Sequence, residues 1–176
     1  YSSDNLLDWK CEAVYGNLHT ECPDLYPIIA SDGQLKWVLS RGGRFYKVGD
    51  FKQVSGVWTF VPDAQYAGDS EANDGVMNFG NDSYAAMTYY VQDFGTAAHP
   101  NIPEIVEFNW MNTWNNYCNQ VAQQTGNSVF NGTFNLNLTL GLLRENGKYK
   151  LTQTPYGAYK TLRGTPTVWE NKTIEA

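Results

Sequence analysis

The feature of this chain that most restricts its fold is a two-residue hydrophobic alternation, recurring in short runs that glycine, asparagine or aspartate cut off. The runs are "LKWVLS" (35–40), "RFYKVGDF" (44–51), "GVWTFV" (56–61), "SYAAMTYYV" (83–91), "EIVEFNWM" (104–111), "TFNLNLTLGLL" (133–143) and "KYKLTQTP" (148–155). A period of two with β-branched and aromatic residues predicts strands, because successive side chains of a strand leave on opposite faces. Connectors such as "SRGGRF" and "ENGKYK" are short enough for hairpins, and Asn146-Gly147 is a strong two-residue turn signal. Only "NNYCNQVAQQ" (115–124) lacks alternation and reads as a helical turn or a polar loop. The expected fold is all-β with mostly antiparallel neighbours. Strand number alone allows a sandwich, a closed barrel or propeller blades; the loose recurrence of strand groups, roughly three at a ~40–50-residue period, is what four-stranded blades would give.

Charge narrows the partners. With 17% charged residues, a net charge of −6 and a pI of about 4.8, the chain lacks the clustered lysines and arginines that phosphate backbones demand, so nucleic acid is excluded. No stretch of 18 uninterrupted apolar residues occurs, so no membrane span is expected, and the first thirty residues have no signal-peptide pattern. Aromatics make up 15%, with 6 Trp and 12 Tyr, many beside Asn, Asp or Gly. That mixture suits sugars, whose C–H faces stack on rings while amides and carboxylates bind hydroxyls, and it equally suits an aromatic-rich β core. Cys11, Cys22 and Cys118 match no metal-ligand spacing, and His19 and His99 have no acidic or cysteine partner at ligand spacing, so neither a metal nor a cofactor is expected. Sequons at Asn81, Asn131, Asn137 and Asn171 would matter only in a eukaryotic secretory pathway.

Most acidic residues fall in turns, but Glu21, within "HTECPDLYPI" (19–28), does not. It is followed by Cys22-Pro23, and a proline biases the residue before it toward extended backbone. A rigid extended segment with apolar neighbours would desolvate the Glu21 carboxyl and favour its protonated form, as a general acid requires. The other reading is a structural glutamate hydrogen-bonded at a strand end.

Five segments in order carry a resemblance to a known family. "TECPDLY" (20–26) resembles the E-C-P-D/G-L-Y motif of the β-fructosidases, glycoside hydrolase family 32. "YKVGDF" (46–51), "NFGNDSYAAMTYY" (78–90), "NWMNTW" (109–114) and "FNGTFNLNLTL" (130–140) are similar to that family's later segments. The resemblance implies a five-bladed β-propeller followed by a β-sandwich, with an active site in the axial funnel. It also implies a retaining mechanism, in which one carboxylate forms a fructosyl-enzyme and a second, about 5–5.5 Å away, protonates the leaving oxygen and then activates water. Glu21 falls on the second role, with Cys22 tuning it. Trp110 and Trp114 fit the sugar pocket, where their other reading is packing between blades; spaced four apart on a strand they would share a face. Tyr84 and Asp82 would border the pocket, Asp82 also reading as a turn residue, and Asp24 and Asn78 complete the candidate sugar contacts.

The match also departs from the family. The nucleophile motif W-x-N-D-P-N-G and the R-D-P motif do not occur, and "YSSDNLLDW" (1–9) resembles the stretch that precedes the acid/base. The sequence is therefore expected to cover about blades three to five: a partial propeller over residues 1–163, then a linker or the start of a β-sandwich over 164–176. The missing N-terminal blades and C-terminal sandwich would be its partners in the whole protein, and the segment alone is expected to be inactive. Asn78 stands where many members have Asp, Thr113 replaces an amide, and Asn131 and Leu138 occupy common arginine positions. The implied activity is hydrolysis or transfer of fructosyl units of sucrose or of fructans such as inulin and levan, outside the cell or on its surface. The alternative is a non-catalytic carbohydrate-binding propeller.

Overall fold

A computed structural model describes residues 1–16, 21–68, 70–78, 80, 82–90, 95–96, 99–100, 104–112, 126 and 133–173. The first sheet contains β1 (Asp24–Ile29), β2 (Leu35–Arg41), β3 (Phe45–Val54) and β4 (Val57–Pro62) in that order, with the short β5 (Gly75–Val76) returning to pair with the start of β3. The second is built from β6 (Tyr84–Tyr90), β9 (Ile105–Trp110), β10 (Leu138–Glu145) and β11 (Lys148–Pro155), in the order β11-β10-β9-β6. A two-residue ribbon, β7 (Gly95–Thr96) with β8 (His99–Pro100), completes the described strands, and every strand pairing is antiparallel. The expected all-β architecture is thus met by two four-stranded meanders of blade size.

Turn chemistry sets the registers. Asn146-Gly147 joins β10 to β11 with φ of 50° and 76°, and Ser55-Gly56 joins β3 to β4 with φ of 53° and 82°. Positive φ at both central residues has the twist that two-residue hairpins need. "NNYCNQVAQQ" lies outside the described residues. From Arg163 to Thr173 the chain carries no strand or helix and is exposed.

The two sheets pack face to face. Tyr26 and Ile28 of β1, Val38 of β2 and Tyr46 and Val48 of β3 meet Ile105 of β9, Leu140 and Leu142 of β10 and Tyr149 of β11 in one core cluster. Each of these positions is an inward member of the alternation, and burying such a side chain stabilises the fold by about 1.5–3 kcal/mol. Hydrogen bonds cross the same seam. The Tyr46 hydroxyl accepts from Leu151 N at 3.0 Å, Tyr66 Oη donates to the Tyr149 carbonyl at 2.5 Å, and Gln65 engages both backbone groups of Tyr149 at 2.9 and 3.2 Å. The seam fixes how the edge strands β1 and β6 face one another, and the candidate site lies at their ends.

Candidate active site

Glu21 sits just before β1, where Cys22 turns the chain with φ of 55°. Cys22 thus occupies the left-handed region, not the extended form usual for a residue before proline, at a cost of about 1–2 kcal/mol for a non-glycine residue. The expected desolvation is absent too, since Glu21 is exposed and Cys22 only half-buried. The kink after Glu21 lifts the residue out of the sheet, so strand burial does not extend to it. What orients the Glu21 carboxyl is Tyr84 at the start of β6, whose hydroxyl donates to Oε1 at 2.8 Å.

A pair of glycines brings these two segments together. The turn between β2 and β3 runs through Gly42 and Gly43, with φ of 58° and 67°. Gly42 N donates to the Glu21 carbonyl at 2.8 Å, and the Gly42 carbonyl accepts from Ala85 N at 3.1 Å. A Cβ on Gly43 would stand 2.2 Å from the backbone nitrogen of Ala86. Absence of a side chain there lets β6 close onto the turn and carries Tyr84 to Glu21. Sequence reasoning took this diglycine only as a hairpin connector.

Trp110, the last residue of β9, is the cross-strand partner of Tyr84. Direct antiparallel partners share a face with Cβ atoms about 4.5–5.5 Å apart, so Trp110 lies next to Tyr84. On its other side Trp110 bridges to Phe134. β9 ends at Trp110, and Trp114, with His19, Thr113, Cys118 and Asn131, lies outside the described residues. Asp82 is exposed, and its backbone carbonyl accepts from Asn135 Nδ2 at 3.2 Å.

Two other candidates are held inside the fold. Asp24 Oδ2 accepts from both the backbone nitrogen and the hydroxyl of Thr88, each at 2.7 Å, and so ties β1 to β6. Asn78 is half-buried; its Nδ2 donates to the Gly43 carbonyl at 2.7 Å, and its Oδ1 accepts from Gln153 at 3.4 Å.

The buried carboxylate of this region is Glu107, at the middle of β9 and fully excluded from solvent. Its Oε1 accepts from Asn109 Nδ2 at 3.0 Å and from Gln153 Nε2 at 3.1 Å, while Oε2 has no partner among the described residues. Burial pushes its pKa up to about 7; the hydrogen bonds of Asn109, Asn78 and Gln153 oppose the rise, and the negative charge of Asp24 adds to it. The Glu107 charge in turn helps burial hold the Tyr26 hydroxyl well above the usual tyrosine range. The signal was legible: in "EIVEFNWM" the alternation places Ile105, Glu107 and Asn109 on one face, and a carboxylate on a buried face is rare unless partnered.

The profile of the glycosyl hydrolases family 32 N-terminal domain matches residues 1–155. A fructan β-fructosidase of Streptococcus mutans is 64% identical over 174 residues, covering 99% of this chain and 12% of that protein. An extracellular exo-inulinase of Aspergillus niger is 34% identical over 134 residues, covering 65% of this chain and 22% of its own length. In three dimensions the crystal structure of exo-inulinase from Aspergillus awamori aligns with a TM-score of 0.67 at 26% identity, over 90% of this chain and 31% of that one. The chain thus spans about a tenth to a third of the proteins it matches.

Proposed function

The chain belongs to glycosyl hydrolase family 32, and from that premise we propose that it supplies the acid/base side of the site in a retaining β-fructosidase acting on sucrose or fructans. The observation that carries the reading is the Tyr84–Glu21 hydrogen bond at 2.8 Å. It holds an exposed carboxyl on Tyr84, whose cross-strand partner is Trp110, an aromatic of the kind that stacks on sugar C–H faces. In this reading Glu21 hands a proton to the departing glycosidic oxygen while a nucleophilic carboxylate from another part of the whole protein bonds the anomeric carbon. Glu21 then takes a proton from water as that water breaks the fructosyl ester, and the starting configuration returns. The names of the Streptococcus and Aspergillus relatives support fructan as the substrate class and, in the second case, action outside the cell.

The binding-only alternative draws on Asp24, the carboxylate nearest to Glu21 in sequence, being committed to Thr88. The test separates the two. The 176-residue chain should release no fructose from inulin or sucrose. The full-length protein should do so, and Glu21→Gln should lower its kcat by roughly 10²–10⁴-fold. Turnover by the chain alone would refute its dependence on a nucleophile from elsewhere; full turnover by Glu21→Gln would refute the assigned role.

A further inference from the structure

Behind the exposed pair lies a connected set of polar groups, buried at Glu107 and Asn109 and half-buried at Asn78, Asn135 and Gln153, with two arms leaving Glu107. One runs through Asn109, whose Oδ1 accepts from Asn135 Nδ2, and Asn135 in turn donates to the Asp82 carbonyl. The other runs through Gln153, which donates to both Glu107 and the Asn78 amide oxygen, and on through Asn78 to the Gly43 carbonyl in the turn that holds the Glu21 backbone and Ala85. The arms therefore end on the two backbone segments that flank Tyr84. We propose that Glu107 is a positioning residue: from inside the seam it sets the geometry of the Tyr84–Glu21 pair without touching substrate. This inference rests on the functional reading above.

The chemistry requires a carboxyl or its amide isostere at this place. One oxygen already takes two amide N–H donors, an arrangement no apolar side chain reproduces, and stranding those amides in the core would cost about 1–3 kcal/mol each. The other titratable groups facing it are Asp24 and Tyr26 on β1, with Tyr46 of β3 beside Tyr26. A second negative charge there sits against Asp24, which together with burial opposes ionisation, while the two amide N–H donors on Oε1 favour it.

The test uses the full-length protein with Glu107→Gln, Glu107→Leu and, as a softer cut of one arm, Asn135→Ala. Two readouts are taken: kcat and KM on inulin across about pH 5–8, and hydrogen exchange of peptides covering 41–44 and 82–86. The expected result is that Glu107→Gln keeps kcat close to wild type. Glu107→Leu should lose roughly 10–100-fold in kcat with a smaller change in KM, and Asn135→Ala should lose less; both should lose protection in the 82–86 peptide. A loss in Glu107→Gln as large as that in Glu107→Leu, or full kcat and protection in the other two variants, would overturn the inference. If Glu21→Gln retains turnover the functional reading fails instead, and the exchange data then judge the positioning role alone.

Discussion

At the scale of single residues, the carboxylate expected to be desolvated and the one that is desolvated are different. Glu21 is exposed and directed by a tyrosine, while Glu107 is shut into the seam. The pKa of Glu107 near 7 has a thermodynamic consequence whose sign follows from linkage. The folded chain holds this proton more tightly than the unfolded chain, which releases it near the ordinary glutamate value. The stabilisation is therefore complete below the unfolded pKa and lost as pH rises through the folded one. Between about pH 4.5 and 7 this amounts to roughly 3 kcal/mol. Denaturant midpoints should fall over that window in the wild type and stay flat in Glu107→Gln; a wild-type midpoint that does not fall would show that Glu107 titrates as an ordinary glutamate.

At the scale of elements, the strands and the Asn146-Gly147 hairpin were legible because they depend on local rules of alternation and positive φ. What two segments do together was not. The diglycine at 42–43 reads as one more hairpin connector, and only packing against β6 shows that it spaces the Glu21 segment from Tyr84. Asp24 and Asn78 resemble family positions at a sugar pocket, yet a threonine hydroxyl at 88 and a carbonyl at 43, both remote in sequence, engage their side chains. Gly43→Ala should accordingly destabilise the chain by about 2–4 kcal/mol, because a Cβ 2.2 Å from Ala86 N and a positive φ must both be accommodated. A midpoint in chemical denaturation within a few tenths of a kcal/mol of wild type would mean that β6 moves away at little cost.

At the scale of the whole molecule, the five-stranded and the four-stranded sheet present aromatic clusters on faces turned away from their shared seam. Trp37, Phe51 and Trp58 pack in sequence at 5.1 and 5.5 Å on the first sheet, and Tyr89, Phe108 and Phe134 at 5.9 and 5.7 Å on the second. Trp58 is 47% exposed and Phe134 67%. Exposed apolar clusters of this kind mark surfaces that cover one another, so the chain alone should self-associate. Light scattering should show this at concentrations where Trp58→Ser and Phe134→Ser together do not; a monodisperse wild-type monomer would contradict it. The family and the blade architecture were legible because five ordered motifs span the chain, whereas the wiring between the sheets has no local sequence signature.

The central claim is that Glu21 delivers a proton to a departing alcohol, and the leaving group itself gives the most direct measurement. The full-length protein and its Glu21→Gln variant would be compared on sucrose, whose alkoxide needs that proton, and on a β-fructosyl fluoride, whose fluoride does not. Turnover of sucrose should drop by roughly 10²–10⁴-fold in the variant, while the first-turnover burst of fluoride, which precedes the water-activating step, keeps a rate close to wild type. An equal loss in sucrose turnover and in the fluoride burst, or no loss on sucrose, would contradict the assignment.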